Sequence, residues 1–136
     1  MKFIYMFVAM SLLVISLFGT NVKHANAYFY CSPNETRCAS AFLNYGLHKE
    51  ISSKSVYFSK GETISYQWQN VSPGIQHVAF AVYSGTTKIT PYAYAPANGN
   101  ESETYTAPHS GYYFLYALCQ GGGDNRCEGG GRISPF

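Results

Sequence analysis

Charged side chains are scarce in this chain. Asp, Glu, Lys and Arg make up 12% of the 136 residues, and Asp124 is the single aspartate. If Lys2 and Lys23 are set aside with the export signal described below, the nine Lys and Arg fall to seven and balance the seven Asp and Glu. A neutral chain lacks the basic surface that would attract nucleic acids or anionic membranes. We therefore predict that nucleic acid is not a partner.

The sequence patterns of catalytic and metal sites are also missing. The three histidines beyond residue 27 stand at no ligand spacing from one another, and no Gly-x-Ser-x-Gly motif occurs. Glu101 and Glu103 lie two residues apart on one predicted strand, too close to flank a scissile glycosidic bond. We predict no cofactor and no metal ion, and favour a protein that is not an enzyme. The rival hypothesis is a small secreted enzyme or toxin, whose active groups would include His48, His77, His109 and Glu101.

One long apolar run exists, and it lies at the N-terminus. Lys2 precedes an apolar segment over residues 3–18, and Ala25-Asn26-Ala27 fits the small-x-small pattern of a cleavage site. A run of about 16 residues is at the short end for a membrane span. We predict a signal peptide over residues 1–27 and no stable membrane anchor. One secreted, extracellular domain would then occupy residues 28–136, and its oligomeric state is left open.

The four cysteines all follow the predicted signal peptide: Cys31, Cys38, Cys119 and Cys127. An even number in an oxidising compartment predicts two disulfides, for which three connectivities are possible. Chain entropy mildly favours long-range bridges. We nevertheless predict the local pairs Cys31–Cys38 and Cys119–Cys127, because the glycine run at 121–123 would fray without a bridge across its loop.

Alternating apolar and polar residues between turn signals dominate the rest of the chain. Ile64, Tyr66 and Trp68 alternate with polar residues, and residues 78–82 repeat the pattern. The most apolar run, residues 112–118, predicts a strand buried on both faces. Short strands are also predicted at 28–31 and 132–133, and residues 39–47 are the one segment compatible with a short helix. Strands that recur roughly every 8 to 12 residues predict an all-β fold, a small antiparallel β-sandwich with two disulfides.

Residues 61–118 resemble a known group of secreted modules. The order is an alternating strand, a Pro-Gly turn, a second alternating strand, and the sequence Tyr-Thr-Ala-Pro-His-Ser-Gly-Tyr-Tyr at 105–113 before the last long strand. This order is similar to the bacterial pre-peptidase C-terminal domain and related jelly-roll modules. The resemblance implies a jelly-roll-like accessory β-sandwich, and some of these modules are linked to polymer or carbohydrate contact.

Tyrosine is the residue type that this chain has in excess, with 13 in all. Tyr66, Trp68 and Phe80 fit a core, whereas other tyrosines fall where strands and turns leave rings partly exposed. Exposed tyrosines offer rigid contact area and a hydroxyl at little entropic cost. We predict a binding module for a cell-wall or extracellular glycan or for an extracellular protein; a structural matrix or surface protein is the other alternative. The predicted ligand-binding residues are Tyr83, Tyr92, Tyr94 and Tyr105, with Asp124, Asn125 and Arg126 in the second disulfide loop.

Overall fold

The computed structural model of the protein describes residues 30–136. The predicted signal peptide and its cleavage site lie outside the described residues. Within residues 30–136, no helix has the length and apolar character needed to cross a membrane.

Strands account for nearly all regular structure in the part of the chain described. They form two antiparallel sheets, whose strand orders are β1-β10-β4-β8 in the first sheet and β2-β9-β5-β6 in the second. In the second sheet β3 also pairs with β9, and β7 with β5. The strands are β1 Ala39–Leu43, β2 Glu50–Ser52, β3 Val56–Phe58, β4 Thr63–Asn70, β5 Val78–Ser84, β6 Thr87–Lys88, β7 Ala93–Ala95, β8 Asn100–Thr106, β9 Gly111–Cys119 and β10 Gly129–Pro135. The predicted all-β, antiparallel sandwich is thereby confirmed.

The core lies between the two sheets and follows the period of two in the sequence. Ile64, Tyr66 and Trp68 of β4 are buried, as predicted, and their polar neighbours are more exposed. Phe80 of β5 meets the Tyr66 ring edge-on from the opposite sheet, with 5.9 Å between ring centroids. The inward-facing side chains of the two sheets therefore pack against each other and form one core layer.

A buried asparagine links the two halves of this core. The Trp68 indole N–H donates to Asn70 Oδ1 at 2.9 Å, and Asn70 Nδ2 donates to the carbonyls of Ala95 and Pro96. Asn70, itself buried, thus satisfies polar groups that belong to both sheets.

The C-terminal strand is longer and more central than the sequence predicted. A short strand was expected at 132–133, but β10 covers Gly129–Pro135 and lies between β1 and β4. A Cβ atom on Gly131 would lie 2.5 Å from the Trp68 ring and 2.4 Å from the Gln67 carbonyl oxygen. The glycines at 129–131 therefore allow a strand to pass close to a large ring, and because they have no side chains the apolar–polar pattern did not predict a strand there.

Two further predictions near the N-terminal end of the domain disagree with the described residues. The helix considered for residues 39–47 is replaced by β1, in which Ala39, Ala41 and Leu43 alternate inward against β10. Pairing with β10 satisfies the backbone of this segment, and burial every second residue favours a strand. Of the first strand predicted at 28–31, the described residues Tyr30 and Cys31 lie outside any strand.

Both disulfides are local, as predicted. Cys31 bonds Cys38 and Cys119 bonds Cys127, with Cα–Cα distances of 5.6 and 5.7 Å. Cys119 ends β9 and Cys127 precedes β10, so the second bridge closes a loop between strands of different sheets.

Candidate functional site

Strand β9 carries aromatic rings on the outer face of the second sheet. Tyr113, Leu115 and Ala117 are fully buried, whereas Tyr112, Phe114 and Tyr116 alternate with them and are more exposed. Tyr112 keeps 64% of its surface accessible. The prediction that this strand is buried on both faces is therefore wrong. No layer of the described chain covers its second face, and the apolar residues on that face are the exposed rings.

Rings from neighbouring strands extend this row across the sheet. Tyr57 of β3 pairs with Tyr112 and meets it edge-on at 5.4 Å between centroids. Tyr83 of β5 lies between Phe114, 5.9 Å away and nearly parallel, and Tyr116, 5.1 Å away and edge-on. Such offset and edge-to-face contacts are the favoured arrangements of aromatic pairs.

The row continues onto β7 and the segment before it. The Tyr92 hydroxyl lies 2.8 Å from the Tyr83 hydroxyl, and Lys88 Nζ lies over the Tyr92 ring at 4.4 Å. Tyr94, 59% exposed, pairs with Ala79 across the strands and faces the His77 ring at 6.2 Å. We call this surface the aromatic face; it consists of Tyr57, Tyr83, Tyr92, Tyr94, Tyr112, Phe114 and Tyr116.

Two hydroxyls of the aromatic face, those of Tyr92 and Tyr116, are held in their neutral form. Burial, and then the hydrogen bond with Tyr83, raise the pKa of Tyr92 to about 12. Burial, and then donation to Glu50 Oε2 at 2.6 Å, raise the pKa of Tyr116 above its ordinary value. Both hydroxyls thus remain protonated at neutral pH and can donate and accept hydrogen bonds.

Three of the four predicted tyrosines belong to the aromatic face, and the fourth does not. Tyr83, Tyr92 and Tyr94 come together there, but Tyr105 lies on β8, the edge strand of the first sheet, with 37% of its surface exposed. The sequence did not point to four other members of the face, Tyr57, Tyr112, Phe114 and Tyr116. The alternation of apolar and polar residues could not reveal Tyr112, Phe114 and Tyr116, because the side chains on both faces of β9 are apolar.

The predicted loop residues mainly hold the shape of their own loop. Asp124 accepts from the backbone N–H and the guanidinium of Arg126, and this contact keeps the pKa of Asp124 well below its usual range. Gln76 Nε2 also donates to Asp124 at 3.2 Å. Asn125 exchanges hydrogen bonds with Gly46. The loop lies at the end of the sandwich, and Gln76 connects it to His77 beside Tyr94.

The groups of the rival enzyme hypothesis have separate contacts. His48 Nδ1 accepts from the Asn44 N–H at 3.2 Å, His77 faces Tyr94, and His109 Nδ1 lies 3.1 Å from the Tyr113 hydroxyl. Glu101 lies on β8, opposite Trp68. Among residues 30–136, the only group of three possible metal ligands is Cys31, Glu35 and Cys38, and both of its sulfurs are used in a disulfide.

Comparisons with known proteins bear on the fold. No protein-family model and no curated protein matches the chain. Among solved structures, it is similar to the pre-peptidase C-terminal domain of a collagenase from Bacillus anthracis, with 22% identity over 73% of this chain and 87% of that one and a TM-score of 0.46. It is also similar to a periplasmic inhibitor of g-type lysozyme from Aeromonas hydrophila, with 13% identity, 79% and 93% coverage, and a TM-score of 0.51.

These likenesses agree with the resemblance read from residues 61–118. A pre-peptidase C-terminal domain is among the structures found, and the second likeness shows the β-sandwich fold. At 13% identity the likeness to the inhibitor establishes the fold alone, so any function must be argued from the surface of this chain.

Proposed function

We propose that this domain is a small extracellular binding module that holds a polysaccharide against the aromatic face. The observation that carries the proposal is the set of seven rings on one face of the second sheet. Tyr57 and Tyr112 form one pair, and Tyr83 contacts Phe114 and Tyr116 at 5.9 and 5.1 Å between centroids and meets Tyr92 through their hydroxyls. The flat, apolar faces of sugar rings pack on aromatic rings, and hydroxyls beside the rings bond the sugar hydroxyls.

The rings are well placed for this task because strands position them. Tyr112, Phe114 and Tyr116 occupy alternate positions of β9, which pairs with β5 along six residues. A surface built on paired strands loses little conformational entropy when a ligand binds. Two disulfides are typical of proteins that work outside the reducing cytosol, where such polymers occur.

Binding to a panel of insoluble and soluble polysaccharides tests the proposal. Tyr94→Ala and Tyr112→Ala remove the two most exposed rings of the aromatic face, and each should weaken the free energy of binding by about 0.5–1.5 kcal/mol. Tyr105→Ala is the matched control, because it removes an exposed tyrosine from the other sheet. Thermal unfolding should confirm that all three variants are folded. Equal retention of wild type and both face variants would contradict the proposal.

A protein target is a second candidate, favoured by apolar residues at the end of the sandwich. Leu47 and Ile75 are 74% and 54% exposed. Gly46, next to Leu47, and Ile75 itself donate backbone hydrogen bonds to Asn125 and Arg126 of the second disulfide loop. The apolar residues therefore flank a loop held by a bridge, which is a pre-organised arrangement suited to a protein cleft.

The likeness to a lysozyme inhibitor suggests the first protein to try. If this candidate is correct, the purified domain should inhibit g-type lysozyme, and Leu47→Ser and Ile75→Ser should reduce inhibition while Tyr112→Ala leaves it unchanged. The predicted roles of Asp124, Asn125 and Arg126 would be tested in the same assay. Absence of inhibition by the wild type would remove this target.

A further inference from the structure

We propose that the polysaccharide bound by the aromatic face is acidic, and that a cleft at the Tyr57 end of the face holds one of its carboxylate or sulfate groups. This inference rests on the function proposed above and specifies its ligand class. The cleft lies between the first disulfide loop and strands β3 and β9, and its volume is about 550 Å³. That volume is in the range of sites that bind small ligands.

The cleft and the aromatic face share two rings. Tyr57 and Tyr112 line the cleft and also form the edge-on pair that begins the aromatic row. Phe114 follows Tyr112 two residues along the same side of β9 and leads to Tyr83. A polymer that lies on the rings therefore reaches the cleft without leaving the surface, and a sugar unit in the cleft would contact Tyr57 and Tyr112.

The charge of the cleft favours an anion. Arg37 and Lys54 line it, and none of its lining residues is an aspartate or a glutamate. Glu62 binds the Arg37 guanidinium through two 2.7 Å hydrogen bonds, so that side chain is largely neutralised and held in place. Lys54 is exposed and makes no ion pair within residues 30–136. Its ammonium group is the charge that a carboxylate or sulfate would pair with.

Hydroxyl groups complete the set of donors, and the wall is rigid. Thr36 and Ser55 line the cleft beside the two cations. The Cys31–Cys38 bridge closes one wall, and the Arg37 Nη2 group donates to the Tyr57 carbonyl at 2.7 Å, which ties that wall to β3. A pre-organised wall of donors raises affinity because little order is lost on binding.

Affinity electrophoresis with soluble polymers tests the inference. Polygalacturonate and chondroitin sulfate serve as acidic probes, and hydroxyethyl cellulose and dextran as neutral ones. We expect tighter binding to an acidic polymer, weakened by added salt. Lys54→Gln should reduce that binding about three- to tenfold. Lys60→Gln is the matched control, because it removes the same charge from an exposed turn that does not line the cleft.

The outcomes separate this inference from the proposed function. Equal binding of acidic and neutral polymers, with Lys54→Gln and Lys60→Gln alike, would overturn the inference while leaving a neutral-glycan module. Binding of free galacturonate or inorganic sulfate as tight as binding of the polymers would also overturn it, since the aromatic face would then contribute nothing. If Tyr94→Ala and Tyr112→Ala changed binding to none of the polymers, the proposed function itself would fail.

Discussion

Gly131 shows how one residue without a side chain determines the packing of the largest ring in the core. The atoms that a Cβ would meet are the Gln67 carbonyl oxygen, the Trp68 ring and Leu115, all closer than 3.0 Å. A strand backbone and a fully buried indole cannot move away easily, because the interior is close-packed. The position therefore accepts only glycine for reasons of space.

Gly131→Ala should lower the free energy of unfolding by about 1–3 kcal/mol through overpacking. Gly123→Ala is a suitable control, since the nearest atom to its Cβ is 3.6 Å away and its φ of −91° suits any residue. Chemical denaturation followed by fluorescence of Trp68, the single tryptophan, measures both variants. Equal stabilities would contradict the close contact between β10 and the Trp68 ring.

Asn70 is a second single residue on which the core depends, because its side chain makes the hydrogen bonds that cross it. Asn70→Ala leaves the Trp68 indole N–H without its acceptor and takes one donor from the carbonyls of Ala95 and Pro96, of which the Pro96 carbonyl keeps the Gly99 N–H. Unpaired buried polar groups cost about 1–3 kcal/mol each where water cannot enter. We expect a loss of about 2–4 kcal/mol in unfolding free energy. Asn100→Ala, at an exposed position of β8, should stay within about 0.5 kcal/mol of wild type.

At the scale of elements, the contact between β5 and the segment that leads into β7 can be tested through the pKa of Tyr92. The folded pKa of Tyr92 is raised from 10.0 to about 12. The folded protein therefore keeps a proton that the unfolded chain loses, so this contribution to stability is complete below pH 10.0 and is lost as the pH rises through about 12.

Spectrophotometric titration of tyrosinate checks this arrangement. Tyr83→Phe removes the partner hydroxyl and should move the Tyr92 pKa toward 10.0, though not fully, because burial remains its largest cause. Tyr105→Phe, on the first sheet, removes a hydroxyl that does not contact Tyr92 and should leave the Tyr92 pKa in place. An unchanged Tyr92 pKa of about 12 in Tyr83→Phe would argue against the hydrogen bond between the Tyr83 and Tyr92 hydroxyls.

On the scale of the whole molecule, the two disulfides close loops of nearly equal length but differ in burial. Their sequence separations are 7 and 8, so chain entropy assigns each about 2.5 kcal/mol. Cys119 and Cys127 are fully buried and belong to the core, whereas Cys31 and Cys38 are partly exposed. Removal of the second bridge should therefore also leave unfilled space in the core.

The double variant Cys119→Ala/Cys127→Ala should accordingly lose more stability than Cys31→Ala/Cys38→Ala. Paired denaturation curves measure the difference, and circular dichroism confirms that the sheets persist in each. Equal losses would mean that chain entropy accounts for both bridges and that packing around the second contributes little.

The sequence by itself determined the strand pattern and the sandwich class, and it favoured the local disulfides. Alternation at Ile64, Tyr66 and Trp68 is a local property, and so is the short loop between Cys119 and Cys127. Sequence alone also marked Tyr83, Tyr92 and Tyr94 as candidate binding residues, because each stands near a turn or an edge strand.

Only the tertiary structure decided which tyrosines share a surface. Tyr105 is separated from the others because β8 pairs with β4 in the first sheet, although the three strands between them in the chain belong to the second sheet. Tyr57 joins Tyr112 because β3 pairs with the start of β9. The tertiary structure also placed the glycines at 129–131 in a central strand. Residues without side chains show no apolar–polar period, and the position of Gly131 depends on its close contact with the Trp68 ring.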